Sequence, residues 1–302
     1  LTLTDNEKPV ITCPASPVQL NNMPGLCGFS ILNNNLNATA TDNCGPIEIV
    51  NTLTGNQTLG GTVLPVGTTT VTWTVNDGNS NTASCSVTYI VTDNEAPNAY
   101  CISEIDAVLD ADGQFQVTQA MVDLGSTDNC GVQNVGISRN GTSFSESLYV
   151  NCADVLNSPV VVILKVTDIH GNVSQCSTAV QVLDLDPPVL TCPNPVTVST
   201  DPGICTAVVN GIGLQYQFDN CPVTVTYTIT GATINSGNGN ASGVVFNKGV
   251  STVTYTIVDQ SGNSSLCFFD VTVNDTEAPT INCSNLGAKT RTTTQGTCAY
   301  TA

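Results

Sequence analysis

Carboxylates recur at fixed steps along this 302-residue chain, and they are the residues whose spacing points to shared chemistry. Three stretches carry Asp-x-x-x-Asn followed by Cys: Asp77, Asn81 and Cys85; Asp168, Asn172 and Cys176; Asp259, Asn263 and Cys267. Sixteen residues beyond each leading Asp stands another: Asp93, Asp184 and Asp275. Each of these opens Asp-x-Glu/Asp-x-Pro, through Glu95, Asp186 and Glu277, and Asp5 with Glu7 makes a fourth copy. A third mark, Asp-Asn-Cys, falls at Asp42, Asp128 and Asp219. Three motifs in register over three copies define a repeat of 91 residues, the step between Cys85, Cys176 and Cys267.

The spacing predicts that each repeat gathers its linker, its Asp-Asn-Cys loop and its last hairpin at one end. Junction one would then bring together Asp5, Glu7, Asp42, Asp77 and Asn81, and junction two Asp93, Glu95, Asp128, Asp168 and Asn172. Junction three would hold Asp184, Asp186, Asp219, Asp259 and Asn263, and Asp275 with Glu277 would begin a fourth. Converging carboxylates repel unless a cation intervenes, and oxygen-only ligands on loops suit Ca²⁺, which takes six to eight of them. The expected cofactor is therefore structural Ca²⁺. The alternative stays open here: Asp and Asn also favour turns because they bond their own backbone.

The elements that would position these residues read as strands. Val71, Trp73 and Val75 alternate with threonines, and Val162, Leu164, Val166 and Val253, Tyr255, Ile257 hold the same places. Period two in β-branched residues marks a half-buried strand. The following runs, Val87–Val91, Val180–Val182 and Phe269–Val273, repeat the pattern, so Asp-x-x-x-Asn is a hairpin loop. The expected fold is all-β: a tandem array of Ig-like or fibronectin-like antiparallel β-sandwiches. The repeats divide the chain into 1–4 (end of a preceding repeat), 5–93, 94–184, 185–275 and 276–302 (start of a further one). A chain beginning and ending inside repeats reads as a piece of a longer secreted protein.

Composition narrows the function classes. With 24 acidic against 6 basic residues the net charge is −18, which argues against nucleic acid as a partner. Apolar runs such as Val160–Leu164 are too short to span a bilayer. The single histidine, His170, leaves most acid–base triads without their usual residue and reads as an exposed loop position. Fourteen cysteines without a CxxC pair point to disulfides formed in an oxidising, extracellular place. Four cysteines allow three pairings. Comparison of the repeats favours joining the cysteine after Asp-Asn to the one after the hairpin: Cys44–Cys85, Cys130–Cys176 and Cys221–Cys267. The remaining pairs are then Cys13–Cys27, Cys101–Cys152, Cys192–Cys205 and Cys283–Cys298.

Repeats one and three resemble hyalin repeats (HYR domains). The residues that carry this are Ile11-Thr12-Cys13-Pro14, Gly25-Leu26-Cys27-Gly28, Asp42-Asn43-Cys44-Gly45 and Pro65-Val66-Gly67-Thr68-Thr69-Thr70-Val71, with Cys192-Pro193 and Asp201-Pro202-Gly203-Ile204-Cys205 in repeat three. Repeat two has Cys152 instead of a Cys27 counterpart and looks like a variant from large bacterial surface adhesins. The resemblance implies an extracellular adhesive or structural array, as in the adhesins of gliding bacteria exported by the type IX pathway, and no catalytic residues. Expected partners are other repeats of the same chain, surface glycans or proteins, or like chains in a filament. The competing reading is a set of accessory, carbohydrate-binding repeats of a large secreted enzyme.

Overall fold

The computed structural model describes residues 4–280. The chain divides into two compact units, Leu1–Leu185 and Asp186–Ala302. Repeats one and two lie in the first, repeat three in the second.

Every repeat is organised around its last hairpin. In repeat one, Gly67–Asn76 pairs antiparallel with Thr82–Thr92, with Trp73 opposite Cys85. Glu48–Asn51 continues this sheet on one side and Val18–Asn21 on the other. Gly28–Ser30 with Val63–Pro65, and Val10–Thr12 with Thr39–Thr41, form the facing layer. The alternation seen in the sequence becomes the inner face: Val71, Trp73, Val75, Val87 and Tyr89 are fully buried. Val71, Trp73, Val87 and Tyr89 pack in one cluster with Ile31, Leu59 and Leu64. Tyr89 keeps its hydroxyl satisfied inside the core by donating to the Leu36 carbonyl at 2.6 Å.

Repeat two builds the same sheet from Val132–Ser138, Val160–Asp168, Val173–Leu183 and Glu104–Val108. It faces Gln114–Thr118 paired with Ser147–Asn151. Two single helical turns, Gln119–Val122 and Cys152–Val155, interrupt the β structure. The second is held by a capping box between Asn151 and Asp154, and Asp154 is also paired to Arg139. In the second unit, Gly249–Asp259 and Ser264–Asn274 form the hairpin, and Tyr255 fills the place of Trp73 and Leu164.

The sandwiches are not wholly antiparallel as expected. Val18–Asn21, Glu104–Val108 and Val196–Ser199 each run parallel to the last strand of their own repeat. A repeat that is entered at one end and left at the other needs its N-terminal edge strand and its last strand to run the same way. The parallel edge pairing meets that requirement, and it leaves Asp5 and the Asp77 hairpin at one end of repeat one with Asp93 at the other.

Candidate cation sites at the repeat junctions

The hairpin loop is built by its own aspartate. Asp168 Oδ1 accepts from the backbone N–H of His170 at 2.8 Å and of Asn172 at 2.9 Å, while Oδ2 accepts from Asn172 Nδ2 at 2.8 Å. Asp77 does the same with Asn79 and Asn81, and Asp259 with Asn263. Burial pushes the Asp168 carboxyl up, but these hydrogen bonds, the Asn172 amide first, outweigh it and hold its pKa below the ordinary carboxylate range. Asp77 is lowered by the same balance, with Asn81 in the place of Asn172. The second loop is shaped likewise: Asp128 Oδ1 accepts from the N–H of Cys130 at 2.8 Å and of Gly131 at 2.9 Å.

These loops meet the linker. In junction two, Asp93, Asp128 and Asp168 each offer a carboxylate oxygen, all within 4.8 Å of one another. Asp5, Asp42 and Asp77 make the matching set in junction one. Three like charges this close repel by roughly 3 kcal/mol per pair at an effective dielectric of about 20. Asp168 is fully buried and Asp93 is 5 % exposed. Two further oxygens are buried without a hydrogen-bond partner: Asp128 Oδ2 and Asn129 Oδ1. Acceptors left in this state need a donor or a cation. The donor set is all oxygen and therefore fits a hard divalent ion.

The remaining predicted residues divide by role. Asn81 and Asn172 hold their aspartates and reach the linker carbonyls of Asp5 and Asp93, both at 3.3 Å. The linker glutamates act as clamps. Glu95 Oε2 accepts from Asn129 Nδ2 at 3.0 Å and from the Gly25 N–H of repeat one at 2.8 Å. Glu7 Oε2 accepts from Asn43 Nδ2 at 2.7 Å, and Glu277 Oε2 from the Gly203 N–H at 2.8 Å. Gly25 and Gly203 sit at φ +73° and +78°, a left-handed conformation that suits glycine at these turns. Asp275 pairs with Lys248 at 3.0 Å, which holds its carboxyl below the usual range. The residues predicted for junction three are divided between the two units, Asp184 in the first and Asp186, Asp219 and Asp259 in the second.

His170 is exposed in its loop, as its position suggested, and it also contacts the linker. Its Nδ1 lies 2.9 Å from Asp93 Oδ2. Asn79 holds the same place in junction one, with Nδ2 3.5 Å from Asp5 Oδ2. The available signal was its offset of two from Asp168, where the loop turns toward the linker.

The predicted disulfides are corrected. Within each repeat the cysteine after the hairpin joins the one after the linker: Cys13–Cys85, Cys101–Cys176 and Cys192–Cys267. The pairings Cys13–Cys27, Cys44–Cys85, Cys101–Cys152, Cys130–Cys176, Cys192–Cys205 and Cys221–Cys267 therefore do not form. The Asp-Asn-Cys loop lies at the end where one repeat meets another, so its cysteine faces outward from its own sandwich. Cys130 accordingly bonds Cys27 of repeat one, across 103 residues. Cys152 and Cys221 are disulfide-bonded as well, with partners other than those expected. Cys44 and Cys205 are exposed thiols. Cys283–Cys298 lies outside the described residues. No helix among the described residues is long and apolar enough to cross a membrane.

Comparison with known proteins agrees with the repeat pattern. Hyalin of Strongylocentrotus purpuratus is 28 % identical over 264 residues, covering 83 % of this chain and 20 % of the relative. Hyalin of Lytechinus variegatus is 28 % identical over 289 residues, covering 92 % of this chain and 49 % of the relative. The chain thus spans less than half the length of either. Among solved structures, an I-band fragment of titin aligns over 89 % of this chain and 100 % of its own, at 15 % identity and TM-score 0.39. A mouse cadherin-23 fragment aligns over 89 % and 100 %, at 14 % identity and TM-score 0.36. The HYR domain family model matches residues 4–92 and 183–273. The chain belongs to the HYR domain family.

Proposed function

We propose that this chain is a non-catalytic segment of an extracellular adhesive or structural array, with Ca²⁺ stiffening its repeat junctions. The observation that carries the reading is the meeting of Asp93, Asp128 and Asp168, with Asp128 Oδ2 and Asn129 Oδ1 buried beside them and unpartnered. In junction one Asp5, Asp42 and Asp77 would hold the ion. Bound Ca²⁺ would cancel the repulsion between linker and loops and fix the angle at which one sandwich follows the next. Disulfides through every repeat support an extracellular setting, since they persist in oxidising compartments. Repeat two, with Cys152 in place of a Cys27 counterpart, resembles a variant from large bacterial surface adhesins, and it is on this resemblance that the array is placed among them.

Calorimetric titration of the chain with CaCl₂, paired with melting curves in calcium and in chelator, tests this. Binding heat and a raised Tm are expected, and Asp128→Asn should remove the junction-two share of both. Absence of heat together with unchanged melting would leave turn chemistry as the whole explanation of the acidic motifs.

A further inference from the structure

The bond between Cys27 and Cys130 has two distinguishable halves, and each half occurs once more in the chain with its thiol free. The first half is a turn. Met23 N–H donates to the Gly28 carbonyl at 2.8 Å, Gly25 N–H donates to Glu95, and Cys27 follows two residues later. Repeat three reproduces it: Asp201 N–H donates to the Thr206 carbonyl at 2.8 Å, Gly203 N–H donates to Glu277 Oε2 at 2.8 Å, and Cys205 follows two residues later. The second half is the Asp-Asn-Cys loop. Cys130 N–H donates to Asp128 and Asn129 Nδ2 to Glu95; Cys44 N–H donates to Asp42 Oδ1 at 3.0 Å and Asn43 Nδ2 to Glu7 Oε2 at 2.7 Å.

Glu95 receives both halves at once, from Gly25 and from Asn129. Glu7 receives the loop half and Glu277 the turn half. The bonded cysteines are half-buried, whereas Cys44 and Cys205 are exposed. Two equivalent positions that are bonded in one junction are thus preformed and open in two others.

We infer that Cys44 and Cys205 are complementary halves of the repeat-to-repeat disulfide that Cys27–Cys130 exemplifies, and that each bonds the opposite half on another HYR repeat. Cys205 takes the loop-side cysteine of a following repeat, and Cys44 the turn-side cysteine of a preceding one. For the isolated chain the available occupant is a second copy, joined head to tail. Such a contact is heterologous and propagates instead of closing. A low-molecular-weight disulfide serves as oxidant: one Sγ–Sγ bond forms, oxidised glutathione loses its S–S bond, and the two thiol protons leave on two reduced glutathiones. The inference rests on the array reading but not on calcium, and its test is run in chelator so that the two fail separately.

The test uses the 302-residue chain carrying Cys283→Ser and Cys298→Ser, so that the two cysteines outside the described residues take no part. It is held in a glutathione redox buffer with EDTA, quenched by alkylation, and read by non-reducing electrophoresis and peptide mapping. A ladder of dimers, trimers and higher species is expected, with Cys44–Cys205 links at least tenfold over Cys44–Cys44 and Cys205–Cys205. Adding Cys44→Ser or Cys205→Ser should abolish the ladder, and mixing those two variants should restore a dimer and nothing larger. Melting curves matching the parent confirm that the variants fold. Thiols that stay alkylatable, symmetric dimers as abundant as the mixed one, or a monomer that has consumed both thiols would each overturn the inference.

Discussion

Junction one and junction two carry the same motifs with different completeness. In both, three aspartates from linker, loop and hairpin lie within 4.8 Å. In junction two Asp93 is buried, Glu95 is clamped from both sides, and Cys130 is bonded to Cys27. In junction one Asp5 and Asp42 are half-buried, Glu7 is held from the loop side, and Cys44 is free. The difference separates two jobs. A single repeat together with the linker that leads into it is enough to assemble the acidic set, because the three aspartates come from that linker, the Asp-Asn-Cys loop and the hairpin. The repeat before it supplies Gly25 and Cys27, and it supplies Asn22, whose Oδ1 accepts from the Asn94 N–H at 3.2 Å. Charge is gathered locally; locking needs a neighbour.

The largest expected effect breaks the covalent part of this contrast. Cys27→Ser with Cys130→Ser should cost up to about 4–5 kcal/mol in the loop-entropy account. Denaturant unfolding of the first unit should then split into two transitions, while each repeat keeps its own bond, Cys13–Cys85 or Cys101–Cys176. A single unchanged transition would mean that the packing between repeats one and two suffices without the disulfide.

Glutamate variants test the clamps. Glu95→Gln weakens two hydrogen bonds to a charged acceptor and should cost about 1–2 kcal/mol, whereas Glu7→Gln weakens one exposed bond and should cost under about 1 kcal/mol. Equal losses by denaturant titration would contradict the two-sided clamp.

Acid should act on both junctions alike. The folded-state pKa values of Asp77 and Asp168 lie below their unfolded value of about 3.9, so their contribution is present above that pH. It is lost as pH falls through the lowered folded values. Asp77→Asn and Asp168→Asn should therefore destabilise at pH 6, and the gap to the parent should close below about pH 4. A gap that persists there would show that the loops need the aspartate shape and not its charge.

The smallest effect sharpens the comparison. His170→Asn makes the junction-two loop resemble that of junction one and frees Asp93 Oδ2 from the imidazole. Calcium affinity should rise a few-fold by calorimetry, with stability in chelator changed by under about 0.5 kcal/mol. Weaker calcium binding in the variant would make His170 a support of the site instead of a competitor.

Much of the fold was legible because its signals are local. Val71, Trp73 and Val75 alternate with threonine over a single strand, and that alternation assigns their inward face without knowledge of any other strand. The acidic sets were legible because three copies kept their spacing. The clamp by Glu95, the contact of His170 with Asp93 and every disulfide partner among the described residues were not, because each joins segments far apart in the chain. The pairing Cys44–Cys85 satisfied the repeat pattern as well as Cys13–Cys85 does. The parallel edge strands escaped notice for the same reason, since Val18–Asn21 shows the period of a strand but not its direction.

The amino-acid order alone determined where strands run, which side of each is apolar, and that aspartates gather at one end of repeat one and of repeat two. These follow from side-chain alternation and turn chemistry within a few residues. The folded arrangement decided which sulfur meets which, and which carboxylate oxygens are left buried without a donor. A disulfide requires Cα atoms within about 7 Å, and an unpaired oxygen is defined by everything packed around it. Neither condition exists until distant strands have taken their places.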